Sequence, residues 1–261
     1  MGKVFVMGDI HGAYKALVQC LERSGFDHDN DTLIQLGDVA DGWSEVYETV
    51  EELISIRNLI SIRGNHDEWF EEYIKTGIHP TRWAQGGYGT SVSYLRQIDK
   101  EDMIIKKWDK NSYGLSEYYL SALNPDDIPP LHQQFFRGQH NYYIDDENRC
   151  FVHGGFDRNY PVKEHQPYIL FWDRDLWSQA KSTKGKDKLK TFEDFKRVFI
   201  GHTHVDGWRN PEAKPLFEGN LVWNLDTGAG YAGKLTIMDV DTEEYWQSDF
   251  VNKLYPNERG R

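Results

Sequence analysis

Cysteine, basic charge and long apolar runs are what this sequence has least of. Cys20 and Cys150 are the only cysteines among 261 residues. They stand far apart, which excludes a disulfide framework and suits two buried free thiols in a reducing compartment. Lysine and arginine number 30 against 42 aspartates and glutamates, for a net charge of -12. That balance argues against a dedicated nucleic-acid or anionic-membrane surface. Bound divalent cations would reverse the sign locally, so phosphate-bearing substrates stay open. No apolar run approaches membrane-spanning length, and the N-terminus lacks a charged-then-apolar signal. The expectation is a soluble, cytoplasmic protein with no membrane partner. Met1-Gly2 opens like a myristoylation site, but Val6 stands where that motif takes Ser or Thr.

The chain is 39% hydrophobic and 14% aromatic, enough to bury the core of one large domain spanning residues 1–261. Lys3–Met7 reads as a buried strand and Met7-Gly8-Asp9-Ile10-His11-Gly12 as the loop that ends it. Ala13, Ala16, Leu17, Cys20 and Leu21 then repeat at helical spacing up to Gly25, where a helix would stop. The pattern recurs with Thr32–Leu36 as strand, Gly37–Gly42 as loop, and Ser44 as N-cap of a helix carrying Val46, Val50, Leu53 and Ile54. It recurs again with Leu59–Ile62 as strand, Arg63-Gly64-Asn65-His66-Asp67 as loop, and a short acidic helix through Trp69, Phe70 and Tyr73. Three βα units imply parallel strands whose carboxyl ends share one edge.

Residues of about 76–139 read as mostly helical, a cap. Strands return at His140–Ile144, Arg149–Val152 and Arg197–Ile200, and a strand-rich tail runs through Leu221–Leu225, Leu235–Val240 and Glu244–Phe250. The second half is expected to form a separate sheet of the same domain. Residues 179–191 lack apolar periodicity and read as a mobile loop.

Five strand ends in this reading close on Asp, His or Asn beside glycine: Asp9 with His11, Asp38, Asn65 with His66, His153, and His202 with His204. Any one of them is explained as a hydrogen-bonded loop residue. Five at the same point of the strand pattern imply convergence on divalent metal, since these are the side chains that hold first-row cations. Nitrogen and oxygen ligands without thiolates allow manganese, iron, zinc or cobalt.

Here the sequence resembles the calcineurin-like metallophosphoesterases, whose pattern runs G-D-x-H, G-D-x-x-D, G-N-H-D/E, a strand-end His, then G-H-x-H. Within that superfamily, Trp83-Ala84-Gln85-Gly86-Gly87, Val152-His153-Gly154-Gly155, Phe171-Trp172-Asp173-Arg174 and Asp226-Thr227-Gly228 resemble the bacterial and bacteriophage serine/threonine phosphoprotein phosphatases and the symmetrical diadenosine-tetraphosphate hydrolases. The resemblance implies an α/β fold of two mixed β-sheets packed as a sandwich and flanked by helices. It places Asp9, His11 and His204 on one metal, makes Asp38 the bridge, and puts Asn65, His153 and His202 on a second metal, manganese first among the candidates. His66 becomes the general acid, oriented by Asp41. Two such ions activate a shared water and clamp the phosphoryl oxygens for in-line attack by metal-bound hydroxide, without a phosphoenzyme. Asp41 as a loop-capping carboxylate and His66 as a plain helix N-terminal residue remain the alternatives.

Two departures stand out. Where the phosphoprotein-phosphatase branch continues with an Arg that grips phosphate, this chain has Gly42-Trp43, and a glycine cannot replace a bidentate guanidinium. Arg174 then becomes the candidate grip, or else an ion pair with Asp173 or Asp175; Arg63 is either structural or substrate-facing. His204 is a second His that many phosphoprotein phosphatases lack.

The implied function is metal-dependent hydrolysis of phosphomonoesters, with serine/threonine phosphoproteins as substrates. Hydrolysis of dinucleoside polyphosphates or nucleic-acid phosphate ends is the alternative, and a non-catalytic binding module the rival from another class. Lys181, Lys184, Lys186, Lys188 and Lys190 form a basic cluster that either recruits an anionic substrate or is simply solvated. Trp43, Trp83, Trp172 and Trp208 could stack on a base, although core and cap packing accounts for most such aromatics.

Overall fold

The computed structural model describes residues 2–79, 85–111, 114–183, 188–205 and 212–261, with the side chains of 105–111 and 114–120 excepted. In chain order its first half comprises β1 (Val4–Met7), α1 (Tyr14–Ser24), β2 (Thr32–Gln35), α2 (Val46–Ser55), β3 (Asn58–Ser61), α3 (Asn65–Thr76), α4 (Gly87–Arg96), the pair β4 (Ile105–Asn111) and β5 (Gly114–Leu120), and α5 (Pro130–Gly138). The second half comprises β6 (Tyr142–Ile144), β7 (Arg149–Val152), α6 (Pro167–Trp172), α7 (Asp175–Ser182), β8 (Arg197–Ile200), β9 (Leu216–Glu218), β10 (Val222–Asn224), β11 (Thr236–Asp239), β12 (Tyr245–Gln247) and α8 (Val251–Leu254).

Two five-stranded mixed sheets result, ordered β12-β11-β1-β2-β3 and β6-β7-β8-β10-β9. The strands alternate their side chains by period two, and the core clusters follow that alternation. Phe5 and Met7 face the helices α1 and α2, whereas Val6 between them joins Ile34, Phe151, Phe199 and Met238 in a layer between the sheets. Cys150 and Val152 face α6 and α7 on the far side. Phe151 and Phe199 stack at the centre of the inter-sheet layer, their rings 4.9 Å apart and nearly parallel. Both cysteines are buried as free thiols, and no described helix is long and apolar enough to cross a membrane.

Parallel pairing of β1 with β2 and of β2 with β3 brings the first three loops to one edge. Parallel pairing of β7 with β8 does the same in the second sheet. Gly25 ends α1 in the left-handed conformation, as the spacing predicts. The residue capping α2 is Glu45 rather than Ser44.

Two expectations fail. Residues 76–139 are not mostly helical: α4 and α5 flank the antiparallel hairpin β4–β5, in a stretch where Ile105, Trp108, Tyr118 and Tyr119 favour strand over helix. The tail also does not stay with the second sheet. β11 crosses back and pairs antiparallel with β1, covering what would otherwise be an open edge. Residues 179–182 of the expected loop belong to the end of α7, and Lys184 and Lys186 lie outside the described residues.

Candidate metal centre

Asp9 follows β1, Asp38 follows β2, Asn65 and His66 open α3, His153 follows β7 and His202 follows β8. All six are buried. Asp38 is the common member of two clusters that could each hold a cation: Asp9, His11 and Asp38, and Asp38, His153 and His202, with potential ligand atoms within 4.8 Å of one another. Its Oδ2 lies 3.6 Å from His11 Nε2 and 3.4 Å from His153 Nε2. Asn65 joins the second group, with Oδ1 3.2 Å from His153 Nε2.

Two of the imidazoles are oriented by backbone carbonyls. His11 Nδ1–H donates to the Ala40 carbonyl (3.2 Å) and His153 Nδ1–H to the Leu36 carbonyl (2.8 Å), so each ring turns Nε2 into the centre. Asp38 Oδ2 and His202 Nε2 are buried without a hydrogen-bond partner. Buried acceptors crowded in this way are costly unless a cation sits among them, so the donor set fits divalent metal.

The loops are bound to one another before any ligand is considered. The Asp67 carboxylate accepts the backbone N–H groups of Asp38, Val39, Ala40 and Gly64 and the side-chain amide of Gln139. Through it the first turn of α3 fixes the loop that carries Asp38. His11 N–H donates to the Asp38 carbonyl (2.9 Å), and His202 N–H donates to the Asp9 carboxylate (3.0 Å). A Cβ on Gly64 would overlap Asp38 Oδ1, and one on Gly201 would overlap Asp9 Oδ1. His11, Asp38, Asp41 and His202 all adopt positive φ, between 53° and 68°. Such conformations cost roughly 1–3 kcal/mol each and persist only where surrounding contacts impose them.

Burial and neighbours set the charges of the metal-free protein. Burial holds Asp9 well above the usual carboxylate range, with Asp226 adding to the effect. Burial would also raise Asp38, but the cationic His153 facing it holds it well below that range. Burial opposes a charge on His153, yet the Asp38 carboxylate outweighs it and raises His153 to about 9. His11 falls to about 3 through burial and the Arg261 guanidinium, and burial lowers His66 and His202 well below the ordinary histidine range.

Beside the clusters, His66 Nδ1 is 2.7 Å from Asp41 Oδ2, and the Thr90 hydroxyl donates to Asp41 Oδ1 at 2.8 Å. His66 Nε2 is buried without a hydrogen-bond partner, with the His11 ring 5.1 Å away.

A model of the calcineurin-like phosphoesterases matches residues 2–206. The chain belongs to this family. It is 38% identical to the symmetrical bis(5'-nucleosyl)-tetraphosphatase of Pseudomonas fluorescens, over 96% of this chain and 95% of that protein. It is 23% identical to the asymmetrical bis(5'-nucleosyl)-tetraphosphatase PrpE of Anoxybacillus flavithermus, over 89% of this chain and 88% of that one. Serine/threonine-protein phosphatase 2 of Salmonella typhimurium is 35% identical over 33% of this chain, and the matched part spans only 38% of that protein's length. A serine/threonine phosphatase structure from Saccharomyces cerevisiae superposes with a TM-score of 0.54 at 12% identity, covering 95% of this chain and 80% of that one.

The expected residues do not all converge. Among the described residues His204 is in neither cluster; Gly228 lies against its ring, and against burial its charge lowers Asp226. Arg63 faces away, its guanidinium donating to the Phe136 carbonyl (2.8 Å) and to Glu71 (3.4 Å), so it ties the β3 loop to α3 and α5. Arg174 Nη1 donates to Thr203 Oγ1 (2.9 Å) and the His202 carbonyl (3.2 Å), at the edge of the second cluster. Trp43 is buried, stacked on Tyr255 and donating Nε1–H to the Ala229 carbonyl. Trp172 is half-buried 5.6 Å from the His202 ring, and Trp83 and Trp208 lie outside the described residues. Sequence reasoning missed Asp67, Thr90 and Arg261. Only Asp67, standing at the last place of the G-N-H-D pattern, carried a signal.

Two outcomes follow from these contacts. Asp67→Ala strands several buried N–H donors at once and is expected to lower the unfolding free energy in urea by about 3 kcal/mol or more. A variant as stable as the parent would contradict the role given to this carboxylate. His153, raised to about 9, contributes stability to the metal-free fold that is complete below about 6.5 and is lost as pH rises through about 9. Metal must displace that proton. Calorimetric loading at pH 7.5 in buffers of different ionisation enthalpy is therefore expected to show proton release, with affinity rising towards pH 9; buffer-independent heats would contradict it.

Proposed function

We propose that this protein is a two-metal phosphomonoesterase acting on alkyl phosphates of the serine/threonine phosphoprotein type. Asp9, His11 and Asp38 would hold one ion, and Asp38, Asn65, His153 and His202 the other. Two divalent ions there, manganese first among the candidates, supply positive charge that acidifies a water and neutralises the phosphoryl oxygens. The remaining work belongs to the side chains. Arg174, fixed beside His202, orients the phosphate from the rim. His66 carries a proton on Nε2 to the leaving oxygen, and Asp41, braced by Thr90, fixes its tautomer and favours the cation that donates. Burial keeps His66 neutral at rest, and the negative charge of a bound phosphoester offsets that effect.

The Asp41–His66 pair is the observation that carries this reading. An alkoxide leaving from a phosphoserine needs a proton, whereas a nucleotide leaving through a phosphate oxygen, with a pKa of about 6, departs as a stable anion. The full-length similarity to bis(5'-nucleosyl)-tetraphosphatases favours a second reading, hydrolysis of dinucleoside polyphosphates at the same centre.

The test compares manganese-loaded protein on a phosphoserine peptide, p-nitrophenyl phosphate, bis(p-nitrophenyl) phosphate and diadenosine tetraphosphate. Monoesters are expected to be preferred. His66→Asn is expected to keep its metal and lose roughly 10²–10⁴-fold in kcat on the peptide, with a smaller loss on the nitrophenyl ester. Preference for diadenosine tetraphosphate would instead establish the second reading, and a His66→Asn enzyme as active as the parent on the peptide would remove the acid.

A further inference from the structure

Among the described residues, Arg261 is the one guanidinium placed against a member of the first cluster, and its path is built by glycines. Its N–H donates to the Gly230 carbonyl (2.8 Å). A Cβ on Gly260 would run 2.9 Å from the Trp43 ring, so only glycine lets the backbone lie that close. From there the side chain passes over Gly86 and Gly42, which are joined by the Gly42 N–H to Gly86 carbonyl bond (2.9 Å). A Cβ on Gly86 would lie 3.0 Å from Arg261 Cγ, and one on Gly42 would lie 3.7 Å from it. Gly42 has φ +100°, and a Cβ there would also meet His11 backbone oxygen at 2.9 Å and His11 Cβ at 3.0 Å. Position 42 therefore has no room for a side chain of its own, and the Arg261 stem lies along the glycine surface that results.

The guanidinium is only partly engaged. Nη1 lies 3.3 Å from His11 Nε2, the group stands 5.4 Å from the Tyr231 ring centroid, and Nε is buried without a hydrogen-bond partner. Among the described residues no carboxylate forms an ion pair with it, although its charge reaches Asp226 and, against burial, lowers that carboxyl. A fixed cation with spare donors, placed where further cations are expected, is electrostatically unfavourable until an anion arrives. Phosphate oxygens supply that anion, with the geometry that a guanidinium matches.

Resting on the reading of this centre as a phosphoester-hydrolysing site, we infer that Arg261 is a substrate-binding residue that grips the phosphoryl group, supplying the guanidinium that Gly42 cannot. Arg174 is fixed beside His202, in the other cluster. The two guanidinium groups thus approach the phosphate from opposite members of the centre, one from His11 and one from His202. With His11 Nε2 committed to a cation, the Nη1–H that faces it would be free for a phosphoryl oxygen.

The experiment measures binding of inorganic phosphate to the manganese-loaded protein by calorimetry, alongside metal content and the separate kcat and KM for p-nitrophenyl phosphate. Arg261→Ala is expected to bind phosphate roughly 10- to 100-fold more weakly, the range for a lost hydrogen-bonded charge. Its KM should rise and its manganese stoichiometry should stay unchanged. Arg261→Lys should recover part of the loss, since it restores the charge without the fork. Phosphate affinity equal to the parent's overturns the inference, and so does a variant whose defect is lost manganese, which would make Arg261 a support for His11. A parent that binds phosphate through Arg261 but hydrolyses no phosphoester would uphold the inference and remove the proposed activity. An active parent with an indifferent Arg261→Ala would do the reverse.

Discussion

Everything in this centre depends on holding one carboxylate, Asp38, in a buried position among imidazoles. Left alone, that carboxylate would be driven towards its neutral form by burial; the cationic His153 facing it keeps it charged. Its backbone is in the left-handed region, a conformation a non-glycine residue holds only when other contacts dictate it. Those contacts are the N–H groups gathered by Asp67, so the geometry of the charge is fixed from α3, one βα unit further along the chain. The architecture follows from that requirement. Parallel strands aim their carboxyl ends at one edge, and the second sheet adds His153 and His202 from the opposite side.

Backbone strain gathers at this centre as well as at turns elsewhere. Of the nine non-glycine residues with positive φ among the described residues, four are His11, Asp38, Asp41 and His202: two cluster imidazoles, the shared carboxylate and the carboxylate bonded to His66. The sandwich beneath them is regular, with period-two strands and a stacked aromatic pair between the sheets. A rigid frame thus carries loops that would not adopt these conformations unaided.

Much of this was legible in the sequence, because the strand ends pair short apolar runs with Asp, His and glycine, and the parallel order follows from repeated βα units. The differences have physical causes. His204 keeps the spacing of a ligand but stands in neither cluster among the described residues, with Gly228 against its ring. Arg63 stands beside the motif, yet a long side chain can turn either way, and the carbonyls at the end of α5 hold it away from the centre. Asp67 acts through backbone donors, which carry no residue signature. Arg261 is far from every motif and reaches His11 only because the chain returns across β1 and α8 to the same edge. The hairpin β4–β5 interrupts the expected helical cap because its β-branched and aromatic residues favour strand.

Asp38 is the member common to both clusters, and the spectrum of the manganese-loaded protein tests most directly whether two cations share it. Two Mn(II) ions per chain, exchange-coupled in the paramagnetic resonance spectrum as expected for ions about 3.5–4 Å apart, with the coupling lost in Asp38→Asn, is the predicted result. A single ion, or two that behave as isolated Mn(II), would contradict the account.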